Sequence, residues 1–171
     1  QADCINNELM IVHLSTGEIL RAEVDAKSVI GINAKLYMDF GRLVPDNILI
    51  EIVTERISKS DCQNGYILDG FPRTLPQAKG LDEMMHSIGH DLECAISLTA
   101  DKDELLDRLI KRGEESSRSD DTPDVIRNRQ KIYWEQTAPL LDFYHEKGIL
   151  KEVDGLGEIP EITKRILDVL K

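Results

Sequence analysis

The sequence predicts an α/β fold in which a parallel β-sheet carries helices on both faces. Two observations predict it: short apolar runs alternate with amphipathic segments, and capping residues mark where several of those segments begin as helices. Strands that are separated by helices can run in the same direction, so this order is typical of βαβ units. The predicted strands are Ile11–Leu14, Tyr66–Asp69, Cys94–Leu98 and Ile149–Val153.

The helices are predicted from their first residues and from the spacing of their apolar residues. Hydroxyl residues that precede a Glu or Gln by three positions, or a proline by one, are typical of helix starts, and they occur at Ser15–Glu18, Thr74–Gln77 and Thr122–Pro123. The helix after Thr122 should extend to about Tyr144 and be disturbed at Pro139. Apolar stripes predict two more helices, at Leu105, Leu106, Leu109 and Ile110 and at Ile162, Ile166, Val169 and Leu170.

Length and charge limit the classes of function. The 171 residues suit one domain, residues 1–171, and the 32 acidic against 21 basic residues give a net charge of -11. Such an acidic chain is unsuited to nucleic acid backbone or an anionic membrane surface. The cysteines Cys4, Cys62 and Cys94 follow no disulfide or zinc-ligand spacing, so they predict thiols in a reducing compartment, the cytoplasm, and no structural metal.

The segment from Asp69 to Arg73 carries the clearest chemical signal. Asp69 ends a predicted buried strand, where open α/β sheets place their ligands, and its carboxylate could hold Mg²⁺ through water. Gly70 permits a sharp turn, Pro72 restricts it, and Arg73 follows as a forked donor that suits phosphate. Taken alone, the segment could equally be an ordinary turn from a strand to a helix.

Longer strings give the segment a context. Residues Asp69 to Ala78 resemble the signature of adenylate kinases, the nucleoside monophosphate kinases that act on AMP. Residues His13 to Arg21 resemble the segment that opens the AMP site in that family, and Gly41 to Asp46 the segment that closes over the AMP base. The arginines from 108 to 129 and the residues from Tyr133 to Tyr144 resemble the lid region and the helix after it, so the resemblance covers nearly the whole chain.

The resemblance implies a P-loop kinase fold and reversible phosphoryl transfer from ATP to AMP, with ADP as product and Mg²⁺ as cofactor. It implies that residues 15–44 form an AMP-binding segment and residues 113–121 a short lid, and it implies a monomer. The AMP-binding residues that it implies are Thr16, Arg21, Leu43, Val44, Gly70, Arg73, Gln77, Arg118 and Arg129. It implies ATP contacts at Arg108, Arg112 and Gly157, and catalytic roles for Arg73, Arg108, Arg112, Arg118 and Arg129.

Several of these residues have simpler interpretations. Gln77 could read the adenine edge with its amide or could only cap its own helix. Val44 and Leu43 could belong to the core, and Asp120 and Asp121 could cap the following helix instead of closing the lid. A single arginine is usually a solvated surface charge, but several arginines at family positions predict a cleft that neutralises phosphate.

The sequence differs from the family at its start. Adenylate kinases open with a strand and a glycine-rich loop that cradles the ATP phosphates, whereas the resemblance begins after that loop, at Gln1–Ala2. We therefore expect that the biological protein is longer, that the central first strand is missing here, and that these 171 residues alone have no useful kinase activity. A UMP or CMP kinase and a non-catalytic nucleotide-binding module are the alternative functions.

Overall fold

The computed structural model describes residues 1–100, 108–109 and 122–171 of the chain. The predicted lid, residues 113–121, lies outside these residues, as do Arg112, Arg118, Asp120 and Asp121 and most of the apolar stripe around Leu105. Arg108 is described.

Among the described residues, four parallel strands confirm the predicted fold class. They are β1 (Val12–Ser15), β2 (Tyr66–Asp69), β3 (Ala95–Thr99) and β4 (Leu150–Asp154). β1 pairs with β2, so that Ser15 lies opposite Asp69, and β3 pairs with β4, so that Ala95 lies opposite Leu150. Each strand begins within one residue of the predicted start, and all the pairs are parallel.

The predicted single sheet is present as two pairs. Among the described residues no hydrogen-bonded ladder joins β2 to β3, so the sheet is interrupted between them. An apolar cluster connects the pairs from one face: it contains Ile67 of β2, Val153 of β4, and Ile5, Ile162 and Ile166 from two helices. A missing central strand would leave an empty slot between the strand at Ile11–Leu14 or Tyr66–Asp69 and the strand at Cys94–Leu98, and the interruption lies in that position.

Helices cover both faces of the strands, as predicted. The α-helices of the described residues are α1 (Ala2–Leu9), α2 (Thr16–Asp25), α3 (Val29–Met38), α4 (Asp46–Ile57), α5 (Leu75–Ser87), α6 (Pro123–Ile132), α7 (Pro139–Glu146) and α8 (Ile159–Val169). Side chains alternate along β2, so Tyr66 and Leu68 pack with the cluster of α2 to α5, whereas Ile67 packs with α1 and α8. Among the described residues, none of the helices is both long and apolar enough to cross a bilayer.

Local capping signals form as the sequence predicts. The Ser15 hydroxyl accepts a hydrogen bond from the Glu18 N–H at 3.4 Å, and the Thr74 hydroxyl accepts one from the Gln77 N–H at 3.2 Å. Thr122 stands at the start of α6, but its side chain makes no capping bond. These caps satisfy backbone donors that the first turn of a helix leaves without a partner.

The long helix predicted after Thr122 is divided. A π-helical segment, Tyr133–Thr137, separates α6 from α7, and the Ala138 N–H donates to the Tyr133 carbonyl at 2.8 Å, five residues back. Pro139 has no N–H to donate, and its ring leaves no room for regular α-helical hydrogen bonding in the preceding turn. This accounts for the wider turn before it. The predicted disturbance at Pro139 is confirmed and lies in the five residues that precede Ala138 and Pro139.

Candidate functional site

The carboxyl ends of β1 and β2 bring the first site residues together. Ser15 and Asp69 are partners in the parallel register, so the residues that follow them leave the sheet side by side. Thr16, the first residue of α2, is buried, and its hydroxyl donates to the Asp69 carbonyl at 3.3 Å. The start of α2 is thereby fastened to the end of β2.

Gly70 and Arg73 form a tight turn directly beside Thr16. Gly70 has a φ of 77°, a left-handed conformation that favours glycine, and the Arg73 Nε donates to its carbonyl at 2.8 Å. A Cβ at Gly70 would lie 3.0 Å from the Arg73 guanidinium and 3.1 Å from the Thr16 hydroxyl. The absence of a side chain at Gly70 therefore leaves the space beside it that the Arg73 guanidinium and the Thr16 hydroxyl occupy.

Gln77 extends this cluster through its side-chain amide. The residue is fully buried; its Oε1 accepts from the Arg73 N–H at 2.7 Å, and its Nε2 donates to Asp46 Oδ1 at 2.7 Å. The predicted capping box is therefore only half formed, because the amide bonds to Arg73 and Asp46 instead of the Thr74 N–H. The Asp46 contact was not predicted, since no local sequence signal links residues 31 positions apart.

The loop between α3 and α4 docks on α6 next to Arg129. Gly41 has a φ of 62°, and a Cβ there would lie 2.8 Å from the Val125 carbonyl and 3.0 Å from Arg129 Cγ. The Asn128 side chain donates to the Phe40 carbonyl at 2.5 Å, which holds the two elements together. Arg129 is thus placed against the segment that contains Leu43 and Val44.

Three other residues that are predicted to bind AMP have different surroundings. Val44 is 4% exposed and belongs to the main apolar cluster, so its side chain has the core role that the sequence left open. Leu43 is half-buried. Arg21 lies one turn after Gly17 on α2, where a Cβ at Gly17 would be 3.4 Å from its guanidinium.

A second group of residues surrounds the turn after β4. The Arg108 guanidinium donates to the Gly155 carbonyl at 3.0 Å, which joins a residue predicted to contact ATP to the turn that contains Gly157. Gly157 is exposed and has a φ of 111°, a conformation that favours glycine. Arg165, which no sequence motif indicates, donates to the carbonyls of Asp154 and Leu156 at 3.0 and 2.6 Å and so holds the turn.

Asp69 presents a half-exposed carboxylate at the end of β2. His13 lies between two carboxylates, with Nε2 3.1 Å from Asp69 Oδ2 and Nδ1 2.8 Å from Asp3 Oδ1. Burial lowers the pKa of His13, but the hydrogen bonds to Asp3 and Asp69 outweigh burial, and the pKa is raised overall. The Asp3 contact was not predicted, and it orients the histidine that holds Asp69.

The site fits a magnesium ion that is held mainly by water and phosphate oxygens. Mg²⁺ usually keeps several waters and takes one or two protein carboxylates, and the Asp69 side chain is 55% exposed. Among the described residues, no group of three or more His, Cys, Asp or Glu side chains is arranged to hold a metal ion by itself. A single carboxylate acting through water is therefore the arrangement these residues can offer.

A family model and several known proteins match most or all of the chain. A family model described as adenylate kinase matches residues 1–149. The chain is 45% identical over 170 residues to an adenylate kinase of Nocardioides sp., covering 99% of this chain and 89% of the relative. It is 46% identical over 167 residues to an adenylate kinase of Leptospira biflexa, covering 98% and 90%, and 43% identical over 171 residues to one of Stenotrophomonas maltophilia, covering 100% and 91%.

Proposed function

Because this chain belongs to the adenylate kinase family, whose members are nucleoside monophosphate phosphotransferases, we propose that it transfers a phosphoryl group from ATP to AMP through the two residue groups described above. The observation that carries the proposal is the convergence of Thr16, Gly70, Arg73 and Gln77 at the carboxyl ends of two parallel strands. Open α/β sheets bind their ligands at that edge. The family match favours AMP over UMP or CMP as the acceptor.

AMP binds, in this proposal, across residues 15–44 and the turn after β2. Arg73 and Arg129 contact the phosphate, since a guanidinium offers several donors in a fixed plane that matches phosphate oxygens. Gln77 contacts the adenine edge, and Thr16 and Gly70 shape the pocket. The remaining members of the proposed set are Arg21, Leu43, Val44 and Arg118.

ATP binds on the other side, near the turn after β4. Gly157 lets the backbone approach the donor base, and Arg108 and Arg112 contact the phosphates. Phosphoryl transfer between two nucleotides brings many negative oxygens together, so neutralisation by arginines from several elements is what catalysis requires. We assign catalytic roles to Arg73, Arg108, Arg112, Arg118 and Arg129 on this ground.

Asp69 would hold the Mg²⁺ through water. When bound, the ion neutralises charge on the nucleotide phosphates. His13 and Asp3 would keep the Asp69 carboxylate in one orientation through the contacts of 3.1 and 2.8 Å. We place the enzyme in the cytoplasm as a monomer; the three cysteines, all thiols in the structure, support a reducing compartment.

An activity assay with a matched arginine control tests the proposal. We expect a protein that combines this chain with the N-terminal strand and glycine-rich loop typical of the family to form ADP from ATP and AMP and to use CMP and UMP poorly. Arg73→Ala should lower kcat/KM for AMP by about 100-fold, the usual cost of removing one donor to developing charge. Arg127→Ala is the control, because that side chain is 73% exposed and pairs at the surface with Asp124.

Two results would contradict the proposal. If the protein with that strand and loop binds nucleotides but forms no ADP, a non-catalytic nucleotide-binding module is the better description. If Arg73→Ala retains the kcat/KM of the Arg127→Ala control, Arg73 does not act on the transferred or accepting phosphate.

A further inference from the structure

We propose that Asp46 sets the choice between a 6-aminopurine and a 6-oxopurine nucleotide by fixing the orientation of the Gln77 amide. The inference rests on the proposed function, in which Gln77 contacts the base of the acceptor nucleotide. Asp46 itself is a positioning residue: it acts on the base only through Gln77.

The two partners of the Gln77 amide both specify the same orientation. An ionised carboxylate can only accept a hydrogen bond, and Asp46 Oδ1 accepts from Nε2 at 2.7 Å. A backbone N–H can only donate, and that of Arg73 donates to Oε1 at 2.7 Å. A rotation that exchanged Oε1 and Nε2 would place oxygen against carboxylate and one N–H against another, so it would lose both bonds.

Burial makes this loss costly. Gln77 is fully buried, and water cannot replace either partner at an amide that has no exposed surface. Asp46 is held in turn by its place in the first turn of α4, where a carboxylate also interacts favourably with the helix dipole. The α4 backbone and the Arg73 backbone therefore position the two ends of the amide independently.

The fixed amide retains one donor and one acceptor, which a base can reach only when the groups that bury Gln77 in this structure move aside. An amide offers two N–H groups and two oxygen lone pairs, of which Asp46 and Arg73 use one each. A 6-aminopurine presents an amine donor beside a ring-nitrogen acceptor, which complements an oxygen and an N–H in that order. A 6-oxopurine presents a carbonyl acceptor beside a ring N–H, and it would be complementary only to the rotated amide.

The carboxylate therefore excludes 6-oxopurines by preventing the rotation that they need. With Asp46 absent, rotation would cost only the Arg73 bond, and the amide could adapt to either base. A site that only packed around the base would lose affinity for both classes together. The ratio of the two affinities is consequently the quantity that separates a positioning role from a structural one.

Calorimetric titration of the intact protein with AMP and with IMP, its 6-oxopurine counterpart, tests the inference. Asp46→Ala should lower the AMP-to-IMP affinity ratio by about tenfold, because one hydrogen bond to a charged group no longer opposes rotation. Asp46→Asn should lower it by about threefold, since a carboxamide can accept or donate. Glu51→Ala, which removes an exposed carboxylate from the same helix, should leave the ratio unchanged.

The outcomes separate this inference from the function on which it rests. A wild-type protein without preference for AMP over IMP would overturn both. A wild-type preference that neither Asp46 variant changes, or equal losses of AMP and IMP affinity, would overturn the positioning role alone. If Asp46→Ala fails to fold, as its thermal unfolding would show, the Asp46→Asn ratio decides.

Discussion

Replacing Gly41 with alanine should disturb the contact between the α3–α4 loop and α6 and thereby weaken AMP binding. Gly41 adopts a φ of 62°, and a Cβ there would meet the Val125 carbonyl at 2.8 Å and Arg129 Cγ at 3.0 Å. The carbonyl belongs to the backbone of α6 and cannot rotate away, so the loop or α6 must move. Arg129, a proposed phosphate contact, would move with it.

The expected destabilisation has two parts. A non-glycine residue in the left-handed region costs about 1–2 kcal/mol. Overpacking against well-ordered neighbours adds about 1–3 kcal/mol. The free energy of unfolding should therefore fall by about 2–5 kcal/mol in Gly41→Ala. AMP affinity should fall by about tenfold if Arg129 loses one charge-assisted hydrogen bond to phosphate.

A second glycine supplies the matched control. Gly89 has a φ of 72° after the end of α5, and a Cβ there would have no atom within 4 Å. Gly89→Ala thus carries the backbone strain without the collision, and it should lower stability by about 1–2 kcal/mol and leave AMP affinity unchanged. Urea unfolding of both variants and calorimetric AMP titration provide the two measurements.

The reasoning fails if the two alanine variants behave alike. Equal stabilities would mean that α6 yields without cost to the added methyl group. A Gly41→Ala protein that is destabilised but binds AMP as tightly as the wild type would show that the docked loop does not position Arg129 for the phosphate.

Three further predictions concern stability and the ATP side. Gly31→Ala should lower the free energy of unfolding by about 1–3 kcal/mol, because the added Cβ would lie 2.0 Å from a backbone oxygen of α2. We expect this loss despite the higher helix propensity of alanine. Gly80→Ala is the control in urea unfolding, because its Cβ would meet only the end of a side chain. Burial raises the pKa of Tyr144 from 10.0 to about 12. The stability that protonated Tyr144 contributes is therefore complete below the unfolded pKa and is lost as pH rises from 10.0 towards 12. Tyr144→Phe should remove that loss in denaturation curves measured across this pH range. The substitution should not destabilise the protein near neutral pH, because the Tyr144 hydroxyl has no hydrogen-bond partner among the described residues. Gly157→Val should raise KM for ATP more than KM for AMP in steady-state kinetics, since valine disfavours a φ of 111°; equal changes would argue against a role at the donor base.

Local signals in the sequence were sufficient for most of the fold. The alternation of apolar runs and stripes located the strands to within one residue, and the hydroxyls of Ser15 and Thr74 cap the helices that they were predicted to begin. The string from Asp69 to Ala78 was specific enough to indicate the family that the comparisons confirm. These features depend on residues close together in the chain, whose preferences act before any tertiary contact forms.

The partners of the polar side chains were decided only by tertiary structure. The sequence predicted that Gln77 caps its own helix or contacts the adenine edge, but packing of α4 against α5 placed Asp46 at the Gln77 Nε2. It likewise gave no indication that Arg108 would bond to Gly155, 47 residues away, or that Arg129 would lie against Gly41. Apolar periodicity specifies which face of each element is buried, but not which polar groups meet across elements. That is set by how the elements pack, because each buried donor and acceptor must find its partner in the packed molecule.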